Sequence, residues 1–186
     1  MPRFISRLFG LALLLAVFAT PLIGRDVVAQ DAATPCPALT EEDAAAWAAS
    51  WITAWNSHDP ANVEALYAPD AIHHWGIGID AEGADELGAS FANFLAAFPG
   101  IHLTADRVWL SGDTVIIRWI AIGIQETEFM GIPASKDTVT WTGINIQQIE
   151  CGLTVESWSE VDHFGRIQQQ GVIPVASPAA EATPAA

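Results

Sequence analysis

The sequence predicts an α+β domain in which three helices precede a long, bent antiparallel sheet, the two together enclosing a pocket. Two observations carry this expectation. Apolar residues recur at three- and four-residue spacing through the first half of the domain and at a spacing of two through the second. The two patterns also occupy separate blocks instead of alternating, which is the layout of α+β rather than α/β chains.

The first helix begins after Thr40, a good N-cap, with Glu41, Glu42 and Asp43 where the helix dipole favours acids. Ala44, Trp47, Ala48, Trp51, Ile52 and Trp55 then form one stripe, read as a buried packing face. The helix stops in Asn56-Ser57-His58-Asp59-Pro60. Asp59 and Pro60 open a short second helix with Val63, Leu66 and Tyr67 on its apolar face, ended by Pro69-Asp70. Ala71 to Trp75 reads as a short strand, followed by a glycine-rich loop to Gly83. A third helix turns Leu87, Phe91, Phe94, Leu95 and Phe98 inward and terminates at Pro99-Gly100.

Four strands rich in Val, Ile, Thr and Trp follow, at 101–110, 114–124, 138–149 and 153–162. Ser111-Gly112-Asp113 and Glu150-Cys151-Gly152 are turn signals that make hairpins of the strands beside them. Gly143, inside a long strand, marks a bend, and a bent sheet with helices on its concave side encloses a cavity.

The ends of the chain are of another kind. Arg3 and Arg7 precede an apolar run from Leu8 to Phe18, Pro21 and Gly24 break it, and Val27 and Ala29 suit a signal peptidase, so residues 1–30 read as a signal peptide. The run is shorter than the ~20 residues a membrane span needs, although a retained N-terminal anchor is the alternative. Residues 31–38 read as a linker, 39–175 as the domain, and 176–186, almost wholly Ala, Pro and Ser, as a disordered tail. A secreted or extracytoplasmic location follows from the leader, with no stable membrane insertion once it is removed. Three of the seven basic residues and one of the 22 acidic ones fall in the first thirty. What remains has four Lys/Arg against 21 Asp/Glu, a formal net charge of −17, which argues against nucleic acid or anionic lipid as partner.

Cys36 and Cys151 are the two cysteines. In an oxidising compartment they read as a disulfide closing a long loop; two unrelated thiols are the alternative. The five histidines, His58, His73, His74, His102 and His163, show no paired spacing on a helix, so no metal site is expected, and no glycine-rich phosphate loop or serine nucleophile elbow occurs.

The last strand carries the chemistry. In Glu156-Ser157-Trp158-Ser159-Glu160-Val161-Asp162, alternation puts Trp158 and Asp162 on one face. A carboxylate beside an aromatic on a concave face is partly desolvated and prepared for proton transfer; the alternative is that Asp162 ends the strand in solvent. His73 and His74 lie on opposite faces of the short strand, with His74 taken as the pocket donor and His73 as outward, or both as structural. Trp75, Phe129, Trp141, Asn145 and Trp158 are the expected pocket wall, mainly apolar with few polar groups.

Several segments in order then resemble one family. Glu128-Phe129-Met130-Gly131-Ile132-Pro133 with Lys136 and Val139 is similar to the "EFMGIPPTGK–V" signature of SnoaL-like polyketide cyclases. Gly143-Ile144, Glu150-Cys151-Gly152 and Val155-Glu156-Ser157-Trp158 with Asp162 resemble that family's "GI…DGKIVEXWXXXD" ending, and Gln169-Gln170-Gly171 its "QLG". Trp55-Asn56, His58-Asp59 and Ala68-Pro69-Asp70 leading to His74 match its opening, so the likeness spans residues 47 to 172. Departures are Pro133-Ala134-Ser135 for "PPTG", Gly123-Ile124-Gln125 for "GTH", and Leu153 for the lysine of "DGKI".

The resemblance implies a cone-shaped barrel of curved antiparallel sheet, the fold of ketosteroid isomerase and limonene epoxide hydrolase, and chemistry without a cofactor. An aspartate, Asp162 here, would take a proton from an activated carbon, and the carbanion would close a ring on a carbonyl of the same molecule. The expected function is thus a cyclase or isomerase acting on a small apolar or aromatic carbonyl compound with Asp162 and His74 as catalytic residues. A non-catalytic extracellular binding domain of the same fold is the runner-up. An epoxide-type hydrolase would need Arg107 or Arg118 beside Asp162, and a steroid isomerase would need Tyr67 as donor. Domains of this fold often pair through the outer face of the sheet, so a homodimer is expected by resemblance.

Overall fold

The computed structural model describes residues 36–76 and 78–173. The expected signal peptide, the tail and all but the last three residues of the linker lie outside the described residues. Among those described, no helix is long and apolar enough to cross a membrane.

Helix α1 spans Glu41–Asn56. The Asp43 N–H donates to Thr40 Oγ1 at 3.2 Å and the Thr40 N–H to the Asp43 carboxylate at 2.9 Å, a capping box that satisfies two otherwise orphaned donors. Its inward stripe is Ala44, Trp47, Ala48, Trp51, Ala54 and Trp55. Helix α2 is only Pro60–Glu64, shorter than its apolar pattern suggested. Leu66 and Tyr67 leave it because strand β1, Tyr67–Trp75, starts there: the Thr154 N–H donates to Leu66 O at 2.9 Å, and Tyr67 pairs with Thr154. The register then shifts between Tyr67 and Ile72, which lets Pro69, with no N–H to give a ladder, sit inside the strand. The glycine-rich loop contains a further strand, β2 (Ile79–Glu82), before helix α3 at Gly83–Ala97.

Strands β3 (His102–Ser111), β4 (Thr114–Ile124), β5 (Thr138–Glu150) and β6 (Leu153–Val161) form the meander that the alternation predicted. The sheet order is β2-β1-β6-β5-β4-β3. Two features differ from the expected antiparallel barrel. β1 runs parallel to β6, and the curved six-stranded sheet stays open, with β2 and β3 as its edges. A fourth helix, α4 (His163–Gln169), follows β6 where the strand was expected to continue through Asp162.

The helices cover the concave face. Trp51, Leu87, Phe91 and Phe98 meet Ile117, Trp119, Val139 and Trp141 in one buried cluster. Edge-on aromatic pairs tie it together: Trp55 has Phe91 at 5.4 Å and Phe94 at 5.6 Å between ring centroids. Each large side chain buried there stabilises the fold by roughly 1.5–3 kcal/mol. Gly143 lies opposite Trp119 in the β4–β5 ladder, and a Cβ at that position would overlap the Trp119 indole, so the glycine makes room for a ring to lie flat over the sheet.

The turn between β5 and β6 is Cys151-Gly152, with φ of 49° and 87°, the left-handed pair of a two-residue hairpin turn. Cys151 is joined there to Cys36 in a disulfide with Cα atoms 5.1 Å apart. The bond holds the start of the described chain to the end of the sheet.

Candidate active-site cavity

Between the helices and the concave sheet lies a cavity of about 190 Å³. Helix α1 gives it Trp51 and Trp55; the sheet gives Trp75, Trp119, Trp141, Asn145, Ser159 and Val161; the β4–β5 connection gives Phe129; and α4 gives His163. The walls are aromatic, with a few polar groups, as in small-molecule sites generally. Of the residues expected from the sequence, Trp75, Phe129, Trp141 and Asn145 are brought together here.

Three others are not. Inward positions on β6 are Ser157, Ser159 and Val161, so Trp158 takes the outer face. Its ring stacks on His74, centroids 5.3 Å apart and planes 19° from parallel. His74 is on that outer face too, with Nδ1 2.9 Å from Asp80 Oδ1 and Nε2 2.9 Å from Glu156 Oε1. Those carboxylates favour its protonated form and raise its pKa, Glu156 contributing most. The expected orientation of the two histidines is therefore reversed: His73 is the inward one, 1% exposed. The reason is the seam with β6, which sets His73 opposite Ser157 and His74 opposite Trp158.

Asp162 is the third. The chain leaves the strand after Val161, so the two-residue alternation no longer governs where its side chain points. Asp162 is the exposed N-cap of α4, its Oδ1 accepting the Gly165 N–H at 2.8 Å, and it is not among the lining residues. Its two chain neighbours, Val161 and His163, both are.

His163 is the residue that sequence reasoning set aside. Its Nδ1 is buried and takes no hydrogen-bond partner among the described residues. Burial pushes its pKa down, the nearby Arg166 charge adds to that, and Asp162 opposes it. A signal for α4 was legible: an Asp N-cap, then a short run closed by Gly171, whose φ is 72°. The helix is held in place by its own side chains. The Gln169 amide donates to Thr140 O at 2.7 Å while its Oε1 accepts the Thr140 N–H at 3.0 Å, extending the edge of β5.

Beneath α4, Arg166 is 2% exposed, with its guanidinium over the rings of Phe98 (5.2 Å) and Phe129 (5.9 Å). It donates to Gln125 Oε1 at 2.7 Å, and Gln125 in turn donates to the carbonyls of Thr127 (2.9 Å) and Ile132 (2.6 Å). Gln125 thus clamps the connection that delivers Phe129 to the cavity. That connection turns tightly at Met130-Gly131, φ 54° and 76°, where Phe129 and Ile132 bridge.

A second set of polar groups runs along the sheet side of the cavity. Trp119 Nε1 donates to Asn145 Oδ1 at 2.7 Å, Asn145 Nδ2 donates to Ser159 Oγ at 2.6 Å, and Ser159 Oγ lies 3.2 Å from His73 Nε2. His73 Nδ1 is 2.6 Å from Ser157 Oγ. Burial, with the adjacent His74, pushes the His73 pKa down to about 4, so its imidazole is neutral at pH 7. No cluster of metal-ligating side chains occurs among the described residues.

A family model described as SnoaL-like polyketide cyclase matches residues 45–170. No curated protein of known function matches the sequence. Among solved structures, TsrD from Streptomyces laurentii is 25% identical, with a TM-score of 0.65, covering 73% of this chain and 99% of its own. IdmH from Streptomyces antibioticus, designated a candidate polyketide cyclase, is 27% identical at a TM-score of 0.60, covering 69% and 98%. A SnoaL-like polyketide cyclase candidate from Jannaschia sp. CCS1 shares the fold at 16% identity and a TM-score of 0.64, covering 72% and 94%.

Proposed function

The chain belongs to the SnoaL-like polyketide cyclase family, and from that premise we propose that it is an exported, cofactor-free cyclase or isomerase of a small, mostly apolar carbonyl compound. The observation that carries the reading is the junction of β6 and α4. There Asp162, at the position of the family's aspartate, lies in the chain between two residues of a mainly aromatic cavity wall, Val161 and His163. A base at that edge would remove a proton from carbon next to a carbonyl. The resulting enolate would attack a second carbonyl of the same molecule or be reprotonated elsewhere, and the protonated base would return the proton. Positioning in the cavity would supply much of the acceleration, and the base a further ~10²–10⁴-fold. Export is supported by the leader-like N-terminus, the acidic charge and the Cys36–Cys151 bond.

Asp162 is the base in this reading, exchanging its helix-capping bond for the substrate proton. His163 is the competing choice, favoured by a buried Nδ1 without a partner among the described residues, in a residue that lines the cavity. The two are separable because asparagine caps a helix as well as aspartate does. Metabolite extracts incubated with wild type, Asp162→Asn and His163→Gln and compared by mass spectrometry give the test. With Asp162 as base, Asp162→Asn loses about 10²–10⁴-fold in turnover of a compound converted to an isomer of equal mass, and His163→Gln loses far less. The reverse order makes His163 the base. A compound retained unchanged by all three proteins would make the cavity a binding site and end the cyclase reading.

A further inference from the structure

The first links of the hydrogen-bond chain on the sheet side of the cavity have only one consistent direction. An indole nitrogen donates and cannot accept, so Trp119 fixes the Asn145 amide with Oδ1 toward the indole and Nδ2 toward Ser159. The Ser159 hydroxyl, accepting from Asn145, has its own proton free for His73 Nε2. A neutral His73 that accepts at Nε2 carries its hydrogen on Nδ1 and donates it to Ser157 Oγ. Every member is buried: Asn145 at 3% exposure, Ser159 at 4% and Ser157 at 0%.

Asn145 Nδ2 has two hydrogens, and among the described residues it uses one. Asn145 and Ser159 line the cavity, while the wall around them is Trp75, Trp119, Trp141 and Val161. A buried amide hydrogen beside a mainly aromatic wall costs free energy unless something accepts it. We propose that Asn145 forms a carbonyl-oxygen subsite: its second Nδ2 hydrogen binds the ligand's ketone or ester oxygen, and Trp119, Ser159 and His73 are positioning residues that hold the amide in that orientation. The inference rests on the reading of the cavity as a site for carbonyl compounds and adds where the oxygen goes. An oxygen held there receives the negative charge that builds up when the neighbouring carbon is deprotonated. Loss of one such preorganised donor commonly slows an enzyme by 10²–10³-fold.

Acetophenone, with ethylbenzene as the same shape without the oxygen, is a suitable probe because neither compound need react. The infrared carbonyl stretch of acetophenone bound to the wild-type protein is expected at lower wavenumber than in hexane. Trp119→Phe keeps the ring but removes the donor that fixes the amide, so the shifted band should weaken or split. Asn145→Leu should abolish the shift and reduce the affinity for acetophenone by roughly 3- to 10-fold while leaving that for ethylbenzene unchanged. A bound carbonyl stretch equal to that in hexane in the wild-type protein would overturn the subsite, as would failure of acetophenone to bind at all. The wild-type spectrum alone decides the matter if Asn145→Leu does not fold. Should no substrate ever be found, the spectral shift would persist, so collapse of the cyclase reading and collapse of the subsite look different.

Discussion

Reduction of the Cys36–Cys151 bond, or Cys36→Ser, is expected to lower stability by about 4–5 kcal/mol, the loop-entropy figure for a closure of this length. The bond spans 115 residues of sequence and encloses every element from α1 through β5. Opening it returns that freedom to the unfolded chain. It also frees the Cys36 end, which meets the sheet at the Cys151-Gly152 turn and not through a strand of its own. In a domain of this size each kcal/mol moves the melting temperature by roughly 2–4 °C, so the reduced protein should melt about 8–20 °C lower. Thermal unfolding followed with and without dithiothreitol measures this. Coincident curves would mean that the bond constrains little and that its role is not stability.

Acid should weaken the fold through His73. Its folded pKa of about 4 lies below the ordinary 6.5. Between those values the unfolded chain binds a proton that the folded chain refuses, so stability falls as pH falls from about 6.5 to about 4. The full effect is about 3 kcal/mol. Protonation would also turn both ring nitrogens into donors, so whichever of Ser157 and Ser159 donates to His73 would lose its acceptor. His74 works in the other direction. Its pKa is raised by Glu156 and Asp80, so its contribution is full below the unfolded pKa and fades as pH rises through the folded one. Urea denaturation of wild type and His73→Gln across pH 4 to 7 is the appropriate comparison. The wild type should lose stability on acidification and the variant much less; parallel slopes would remove His73 from the account.

The fold was legible wherever periodicity decides it. Trp47, Trp51 and Trp55 mark one face of α1, and the alternations along β4 and β5 mark two strands. Trp75, Trp141 and Asn145, cavity residues on strands, were legible too, whereas Phe129 lies in the connection between β4 and β5, where no periodicity speaks for it. Alternation says that His73 and His74 oppose one another, but not which faces the core. That phase is set by the parallel pairing with β6, some 84 residues away along the chain. Residue type misleads in this strip, because Ser157, Ser159 and His73 are buried while Trp158 covers the outside. Hydrophobicity favours the opposite assignment, and only a chain of mutual hydrogen bonds makes the inverted one tolerable. Asp162 escaped for a simpler reason: a two-residue rhythm carries no information past the residue at which the strand ends.

The seam between β1 and β6 also orders events in time. The meander β3 to β6 assembles from strands adjacent in sequence, two of its three connections being tight turns, whereas β1 must find β6 across most of the domain. The wall bearing His73 is therefore expected to form last and to open first. Backbone amides of β1 should exchange with solvent sooner than those of β4 and β5, and equal protection of all three strands would refute this order. The polar half of the cavity would then be its most labile part, giving a small molecule a way into an otherwise close-packed interior.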